Sequence, residues 1–495
     1  MKVIFVDLPI SHEQFYGDWD ISALDTVCPP LGLLYIAGYV RAHGHEPSII
    51  DIPNRRWTIA QTVEHIVRER PGAIGISAKT PSVRALAALT SQLRARGVTC
   101  PIILGGAHVT AAPIETLERY PAIDVGVIGE GELTCLDLLE HIERGRSFDD
   151  VAGIVWRHPA HGIVRTAPRP TIPDLDILPL PAWDLLPNFP HAYPHSPFET
   201  KRTPAASVIT SRGCPFHCTF CDTAVFGSRV RFHSPAYTLR MLHHLVDQYG
   251  IRDVMFYDDN FFINNDHMNG ICTGMIEEKL DLSWYCLAHE KTMKPERLAL
   301  ARKAGLWFIE MGVESGSDRI LKEIQKKTTA RETAEAATEA RRYGIKTKGN
   351  FIFGLPLETR ETLEETIRFA CESDLSFAQQ SFLTIWPGSP ISANWQRYGT
   401  GLTDWEQLGQ YTITFVPHGL TAADLMNASK AFFRRFYLRP RIIAEVARTL
   451  TSPRGVRTAA TCTYVFLKTI TRSSAPATQR AETLQPTVPL ETVSQ

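Results

Sequence analysis

Three cysteines are the residues of this chain whose type and spacing most plainly carry chemistry. Cys214, Cys218 and Cys221 lie in the run Ser-Arg-Gly-Cys-Pro-Phe-His-Cys-Thr-Phe-Cys-Asp. Electron-transfer proteins normally bind a 4Fe–4S cluster with four cysteine thiolates. Three thiolates at the spacing C-x3-C-x2-C can hold three irons and leave the fourth iron open to a small-molecule ligand. The spacing therefore indicates a cluster that acts on a bound ligand and does not only relay electrons.

A structural zinc site is the competing interpretation of these cysteines. Structural zinc usually has four Cys or His ligands at close spacing. His217 lies between two of the cysteines and is poorly placed to be the fourth ligand, and His233 is distant in sequence. The motif therefore favours the iron–sulfur cluster.

The cysteine spacing, with an aromatic residue directly before the last cysteine, resembles the radical S-adenosylmethionine (SAM) superfamily. The aromatic residue here is Phe220, which we assign to the SAM site. The resemblance implies that the open iron binds the amino and carboxylate groups of SAM, and that the reduced cluster cleaves SAM to a 5′-deoxyadenosyl radical. It also implies an electron donor, such as flavodoxin or ferredoxin.

An acidic segment after the second predicted barrel strand resembles the SAM-amine site of this superfamily. It reads Phe256-Tyr-Asp-Asp-Asn-Phe-Phe262. The resemblance implies that Asp258 and Asp259 bind the SAM amine. A turn with two solvated carboxylates is the alternative for either residue.

Two later segments resemble the ribose and adenine sites. Met311-Gly-Val-Glu-Ser-Gly-Ser317 ends the fourth predicted barrel strand, and its Glu314 is implied to accept hydrogen bonds from the ribose hydroxyls, much as an acid does in dinucleotide sites. A surface ion pair is the alternative. Gly349-Asn-Phe-Ile-Phe-Gly-Leu-Pro-Leu-Glu358 resembles the pattern G-x-I-x-G-x-x-E. The backbone at Gly349 and Gly354 is implied to flank the adenine.

Two α/β units must position these residues. Residues 1–145 alternate short apolar runs with helical patterns, which predicts a doubly wound, Rossmann-like parallel sheet. Residues 201–415 repeat the alternation six times, with the cysteines after the first strand, and this matches the partial (β/α)6 barrel of radical SAM enzymes. Functional groups of βα barrels lie at the carboxyl ends of the strands.

The other segments are predicted to connect or extend these units. Residues 146–200 are rich in proline and predict an irregular linker. Residues 416–470 are basic and predict a small helical C-terminal region. Residues 471–495 are dominated by Thr, Ser, Pro, Ala and Gln, which predicts a disordered tail.

The first domain adds a second resemblance, to cobalamin-binding radical SAM proteins, over about residues 1–440. Short matches occur in the expected order, at Pro29–Ala37, Gly44–Glu46, Leu104–His108 and Gly126–Gly131. The resemblance implies that cobalamin lies over the carboxyl ends of the first domain's strands. The residues implied to bind it are Ser77, Gly105, Gly106, His108, Gly129 and Glu130.

The signature D-x-H-x-x-G, which supplies a histidine below cobalt, is absent. We therefore expect no histidine ligation, and the glycines beside His108 favour a backbone contact with the corrin. A dinucleotide-binding domain is an alternative, although no G-x-G-x-x-G follows the first strand. A further alternative is a domain that keeps the fold but binds no corrin.

Composition and charge bear on the binding partners and on the cellular compartment of the protein. The chain has 495 residues and a formal net charge of −1, so no overall positive charge draws it to nucleic acid. Ten cysteines, scattered apart from the triplet, fit a reducing cytoplasm. The N-terminus lacks a signal-peptide pattern, and the sequence predicts no transmembrane segment.

Together these features predict an enzyme with a 4Fe–4S cluster, SAM and cobalamin that methylates an unactivated carbon of a small-molecule biosynthetic intermediate. An oxidative cyclase resembling the anaerobic magnesium-protoporphyrin ester cyclase is the nearest alternative. A non-catalytic cobalamin or redox sensor is the second.

Overall fold

Two mainly parallel β-sheets, one in each half of the chain, organise the protein. The computed structural model describes residues 1–16, 28–196, 198–449 and 453–471. The predicted α/β class, with a doubly wound domain followed by a partial barrel, is confirmed.

The first sheet has seven strands in the order β2-β1-β3-β4-β5-β6-β7. The first five are parallel, and β6 and β7 add to the edge in antiparallel fashion. The order reverses between β1 and β3, which is where open α/β sheets bind their ligands. The strands are β1 (Lys2–Asp7), β2 (Glu46–Asp51), β3 (Ala73–Ser77), β4 (Ile102–Gly105), β5 (Val125–Val127), β6 (Ile154–His158) and β7 (Gly162–Arg165).

Both faces of this sheet are covered, because alternate residues of a strand point to opposite sides. Val3 and Phe5 join a core that continues into the second half of the chain, whereas Ile4 and Val6 join a separate core. The helices of this domain are α1 (His12–Tyr16), α2 (Leu31–Ala42), α3 (Ile52–Arg55), α4 (Ile59–Glu69), α5 (Val83–Ala95), α6 (Ala107–Ala111), α7 (Pro113–Arg119) and α8 (Glu132–Arg144).

The predicted linker, residues 146–200, differs from expectation in its first third. β6 and β7 extend the first sheet, because the apolar run Ile154-Val-Trp156 is buried against it. The surrounding glycines and prolines masked this short strand signal. The remainder is irregular, and Leu175 and Trp183 are buried in the shared core.

The second sheet has six parallel strands in the order β15-β14-β13-β12-β11-β8. A two-stranded antiparallel ribbon, β9 with β10, brackets the cysteine loop. The strands of this half are β8 (Ala205–Val208), β9 (Ser211–Arg212), β10 (Arg231–Phe232), β11 (Asp253–Phe256), β12 (Ser283–Ala288), β13 (Leu306–Glu314), β14 (Lys346–Phe353) and β15 (Phe377–Phe382).

Six helices connect these strands, and a hairpin and three helices follow them. The connecting helices are α9 (Pro235–Tyr249), α10 (Asn265–Glu277), α11 (Pro295–Lys303), α12 (Asp318–Glu323), α13 (Ala330–Arg342) and α14 (Arg360–Glu372). The later elements are β16 (Gly399–Gly401), β17 (Phe415–Pro417), α15 (Ala422–Tyr437), α16 (Pro440–Thr449) and α17 (Pro453–Thr471).

Within the described residues, no helix is both long and apolar enough to span a membrane. The predicted disordered tail, residues 471–495, lies outside the described residues except for Thr471, which ends α17.

Candidate functional site

The cysteine loop lies between β9 and β10, after the first barrel strand. The Cys214 amide donates to the Gly227 carbonyl at 3.3 Å, and the Cys221 amide donates to the Cys218 carbonyl at 3.2 Å. Gly213 has a φ of +99°, and a side chain there would lie 2.6 Å from the Arg229 carbonyl oxygen. Only glycine therefore suits the residue before Cys214.

The three thiols are free and close enough to influence one another. Burial, together with a smaller effect of the neighbouring cysteines, raises the pKa of Cys218 to about 11 and that of Cys221 to about 12. No group of three His, Cys, Asp or Glu side chains in the described residues is arranged to hold a single metal ion. A cuboidal cluster does not need its three thiolates to converge on one ion, because each thiolate binds a separate iron. The loop therefore suits a cluster better than one zinc ion.

Asp259 and Glu314 lie near these thiols, whereas Asp258 does not face them. The carboxylates of Asp259 and Glu314 both raise the pKa of Cys221. Asp259 is exposed, and desolvation by the protein around it raises its own pKa, as expected at a concave surface. The structure thus brings two of the three predicted SAM-binding acids to the cysteine loop.

Asp258 is buried and already bonded to the end of the first barrel strand. Its Oδ1 accepts hydrogen bonds from the Thr210 amide at 3.0 Å, the Thr210 hydroxyl at 2.9 Å and the Ser211 hydroxyl at 2.5 Å. Burial raises its pKa to about 6. These contacts join β11 to β8 below the cysteine loop.

Glu314 is buried beside a lysine that the sequence did not single out. Lys326 Nζ donates to Glu314 Oε1 at 3.0 Å, and both side chains are 9% exposed. Burial raises the pKa of Glu314 even though Lys326 opposes the rise. Glu314 has a φ of +62°, a strained value for a residue with a side chain. Glu290 lies close by, and neither of its carboxylate oxygens accepts a hydrogen bond in the structure, although His289 Nδ1 lies 3.8 Å from Oε2.

Phe220 and Gly354 lie at the same side of the barrel. Phe220 packs against a cluster that includes Ile324 and Leu355. Gly354 follows β14 with a φ of +85°, and its amide donates to the buried Glu358 carboxylate. The backbone at Gly354 is therefore held in a turn that glycine adopts easily.

Gly349 occupies a different position, in the middle of β14. A side chain there would lie 2.8 Å from Leu375 Cδ1 and 3.0 Å from Val313 Cγ2. The described contacts give this glycine a packing role within the sheet.

Four of the predicted cobalamin-binding residues line the carboxyl edge of the first sheet. Ser77 and Gly105 end β3 and β4, Gly106 and Gly129 lie just after strand ends, and all four remain partly accessible. Ser77 pairs with Asp7 at the point where the strand order reverses. Burial raises the pKa of Asp7 to about 7, with Lys79 opposing the rise. This edge offers short side chains and backbone amides to a ligand.

His108 is buried away from that edge. Its Nδ1 lies 3.1 Å from the Thr80 hydroxyl, and Trp405 packs edge-on against the ring at 4.6 Å between centroids. Nε2 has no partner, and burial lowers the pKa of the imidazole to about 4. Trp405 belongs to the β16–β17 hairpin, so a distant segment covers this histidine.

Glu130 links the first domain to the ribbon around the cysteine loop. Its two oxygens accept from Arg212 at 2.8 Å and Arg231 at 2.7 Å, and Glu132 also pairs with Arg212 at 2.6 Å. All four side chains are buried. The Glu130 carboxylate is therefore committed to protein partners. We call these four residues the interdomain network.

A cavity of about 180 Å³ beside this network touches both domains. Gly129 and Glu130 line it from the first domain, Ala224 and Val225 from the cysteine loop, and Thr166 with residues 168–172 from the connection. The strand-end edge of the first sheet and the cysteine loop thus lie side by side.

The barrel interior has a polar layer above an aromatic one. Lys348 pairs with Glu199 at 2.6 Å and with Glu310 at 3.0 Å, and Asn350 Nδ2 donates to Glu310 at 2.6 Å. Deeper in the sheet, the buried cluster contains Met255, Tyr285 and Phe308.

A cysteine of the first domain reaches this interior. Cys28 Sγ lies 3.2 Å from the Tyr257 hydroxyl, which follows β11. Lys79 and Asp51 from the first domain and Glu199 from the connection all influence the pKa of Cys28. The edge of the first sheet therefore faces the mouth of the barrel.

Neither Lys326 nor Arg212 could be assigned from a motif. Arg212 stands two residues before Cys214, and this adjacency is the signal that could have identified it. Lys326 acquires its partner through the fold alone.

Two family models match the chain. The model described as "Radical SAM superfamily" matches residues 208–370, and the model described as "B12 binding domain" matches residues 20–139. The first range begins at the end of β8 and ends within α14, and the second begins after β1 and ends within α8.

Curated relatives match across most of the chain. An uncharacterized methyltransferase of Pyrococcus horikoshii is 32% identical over 433 residues, covering 85% of this chain and 90% of the relative. The anaerobic magnesium-protoporphyrin IX monomethyl ester cyclase of Rubrivivax gelatinosus is 30% identical over 451 residues, covering 88% and 78%.

A solved structure shares the fold over nearly the whole chain. It is the radical SAM methyltransferase TsrM from Kitasatospora setae, with cobalamin and a 4Fe–4S cluster bound. The TM-score is 0.69 at 18% identity, and the match covers 94% of this chain and 99% of TsrM. The cysteine motif, the two matching family models and the two long relatives agree: the chain belongs to the radical SAM superfamily, among the members that also carry a B12 binding domain.

Proposed function

We propose that the protein is a cobalamin-dependent radical SAM methyltransferase that methylates an unactivated carbon of a small molecule. The observation that carries this proposal is the contact between the cysteine loop and the strand-end edge of the first domain, through the interdomain network. The names of the P. horikoshii relative and of TsrM, both methyltransferases, support it.

Each cofactor has a proposed set of residues. Cys214, Cys218 and Cys221 hold three irons of the cluster. Asp259 and Glu314 are the polar partners of SAM nearest to the cysteine loop. The edge that contains Ser77, Gly105, Gly106 and Gly129 receives the corrin. When bound, the cluster and SAM supply a hydrogen-abstracting radical, and cobalamin supplies a methyl carrier.

The protein contributes position and the exclusion of water. Lys326 holds the Glu314 carboxylate in one place, so that a ribose bound there meets a fixed acceptor. The interdomain network fixes the cysteine loop against the first domain. Because a transfer between two sites depends steeply on distance, this rigidity favours reaction of the substrate with the correct partner.

The barrel mouth is the proposed substrate site. Lys348, Glu310 and Asn350 supply charged and amide groups there, and Tyr257 adds a hydroxyl. We further propose that flavodoxin or ferredoxin reduces the cluster and that the protein works in the cytoplasm. The nine cysteines that the structure describes are all free, which fits a reducing compartment.

The first test is cofactor content after anaerobic purification with cobalamin supplied. We expect about four irons and one cobalt per chain. Cys218→Ala should lose the iron and keep the cobalt, because the corrin edge belongs to the first domain. Folded wild-type protein that takes up no iron would refute the proposal.

The second test asks which product forms. Cells supplied with methionine deuterated at its methyl group should accumulate a product heavier by one labelled methyl group, and Cys218→Ala cells should not. The relative from R. gelatinosus supports a second candidate, an oxidative cyclase. Loss of hydrogen or gain of oxygen without the label would favour the cyclase. Absence of any SAM cleavage in the reduced, cluster-loaded protein would favour a sensor.

A further inference from the structure

The last helix, α17, carries an apolar stripe on the face turned away from the protein. Its inner side packs against α15, where the rings of Phe466 and Tyr437 lie 6.4 Å apart. Val456, Tyr464 and Leu467 are 50%, 40% and 51% exposed. With the exposed Ala460 they are spaced at i, i+4, i+8 and i+11, which is one face of a helix.

Neighbouring residues extend the exposed apolar surface. Ile443 of α16 and Leu438 just before it are each 52% exposed. Five of the ten large apolar side chains that are exposed among the described residues lie within residues 438–467. Such clustering marks an interaction surface, whereas single exposed apolar residues are ordinary.

The same segment is strongly basic. Residues 434–471 contain eight Lys or Arg and one acidic residue, Glu445, although the whole chain has a net charge of −1. Arg435 and Arg441 pair with acids of the barrel domain. Arg434 and Lys468 are exposed, and no ion pair to either is described. The positive charge is therefore concentrated beside the apolar stripe.

We propose that α16 and α17 dock on an anionic lipid surface, with the stripe at the boundary between headgroups and acyl chains. An exposed apolar face next to basic residues is the pattern of helices that lie in the plane of a membrane. Nucleic acid would interact with the basic residues but would leave the apolar stripe exposed to water. A second copy of this surface would bring like charges together. An anionic membrane satisfies both features.

Vesicle sedimentation of the full-length protein tests the proposal. We expect binding to vesicles of equal parts phosphatidylcholine and phosphatidylglycerol, and little binding to phosphatidylcholine alone. Each basic residue near an anionic surface raises the partition coefficient about fivefold, so high salt should release the protein. Leu467→Asp should lower the partition coefficient by at least about tenfold, because it removes apolar area and adds a negative charge.

The matched control is Ile276→Asp, which makes the same kind of change at an exposed residue on the outer helix α10. It should bind the anionic vesicles like the wild type. Val456→Ser serves as a second variant if Leu467→Asp does not fold. The proposal would be overturned if the wild type failed to bind anionic vesicles. It would also be overturned if Leu467→Asp and Val456→Ser both bound these vesicles as strongly as the wild type. A dimer in light scattering that Leu467→Asp dissociates would overturn it as well.

Discussion

Glu314 combines a left-handed backbone with a buried carboxylate, and Lys326 pairs with that carboxylate. The carboxylate oxygen and the ammonium nitrogen lie 3.0 Å apart with little access to water. A buried ion pair contributes little net stability, but removing one partner leaves the other charged and unpaired. The pair therefore fixes a geometry more than it stabilises the fold.

Replacing Lys326 tests whether Glu314 needs a charged partner in the folded protein. We expect Lys326→Met to lower the free energy of unfolding by about 3–5 kcal/mol, since Glu314 then lacks its partner. The double variant Lys326→Met/Glu314→Gln should lose less, because the charge of Glu314 is removed together with that of its partner. Urea denaturation of the cofactor-free protein measures both values. Equal losses in the single and double variants would contradict the argument.

Glu358 should make stability depend on pH. Burial raises its pKa from 4.5 to about 8, although the amides of Gly354 and Leu355 donate to it and oppose the rise. The folded state therefore binds more protons than the unfolded state between these values. The stabilising contribution is complete below about pH 4.5 and is lost as the pH rises through about 8, with a slope of up to about 1.4 kcal/mol per pH unit.

Glu358→Gln should flatten this dependence, because glutamine does not titrate. Urea unfolding between about pH 5 and about pH 8 compares the two proteins. Glu361→Gln, which changes an exposed acid in the first turn of α14, is the control and should keep the slope of the wild type. A slope unchanged by Glu358→Gln would show that the proton is bound elsewhere.

Among the elements, the turn after β4 depends on one glycine. Gly106 has a φ of +99°, and a side chain there would lie 2.6 Å from the Ala78 carbonyl oxygen. Gly97 also has a positive φ, +76°, but open space surrounds it. Substitutions at the two glycines therefore separate the energetic cost of backbone strain from the cost of a steric clash.

Gly97→Ala should cost about 1–2 kcal/mol through backbone strain alone. Gly106→Ala should cost clearly more, because the turn after β3 must also move. Chemical denaturation of the two variants gives the difference directly. A loss at Gly106 no larger than that at Gly97 would mean that the turn adapts without cost.

The elements show where sequence reasoning succeeded. Barrel strands such as β13, predicted to end within Met311–Ser317 and found to end at Glu314, are mainly apolar runs between helices, and local pattern suffices for them. β6 and β7 were missed because they are short and lie among glycines and prolines. The antiparallel pairing of β6 with β5 at the edge of the first sheet leaves no pattern in the sequence of β6 itself.

At the site, the cysteine loop could be predicted because its spacing is local. Asp258 and Asp259 could not be separated, since adjacent residues face opposite ways and only the register of β11 decides which is buried. Glu130 looked like a ligand of the corrin edge. Its arginine partners lie 82 and 101 residues further along the chain, beyond any local pattern.

For the molecule as a whole, the interdomain network is the polar junction between the two cofactor sites. Glu130→Gln should destabilise the protein by about 3–5 kcal/mol, because the buried Arg231 then loses its carboxylate partner, while Arg212 keeps Glu132. Glu364→Gln, which weakens the exposed pair with Arg435, should cost less than about 1 kcal/mol.

Limited proteolysis distinguishes a loosened junction from general destabilisation. We expect faster cleavage of Glu130→Gln within residues 166–200, which connect the domains, under conditions where the barrel stays resistant. Uniform cleavage throughout the chain would instead indicate global unfolding.

The hairpin that carries Trp405 has a consequence for the timing of assembly. Its backbone carbonyls accept from Gln14, which is 391 residues earlier in the chain, and its tryptophan covers His108. At ordinary rates of synthesis, roughly 20–80 s separate the two segments as they leave the ribosome. During that interval the strands of the first domain have been synthesised, but Trp405, which covers His108, has not. A nascent chain therefore leaves His108 uncovered until all six barrel strands have been synthesised.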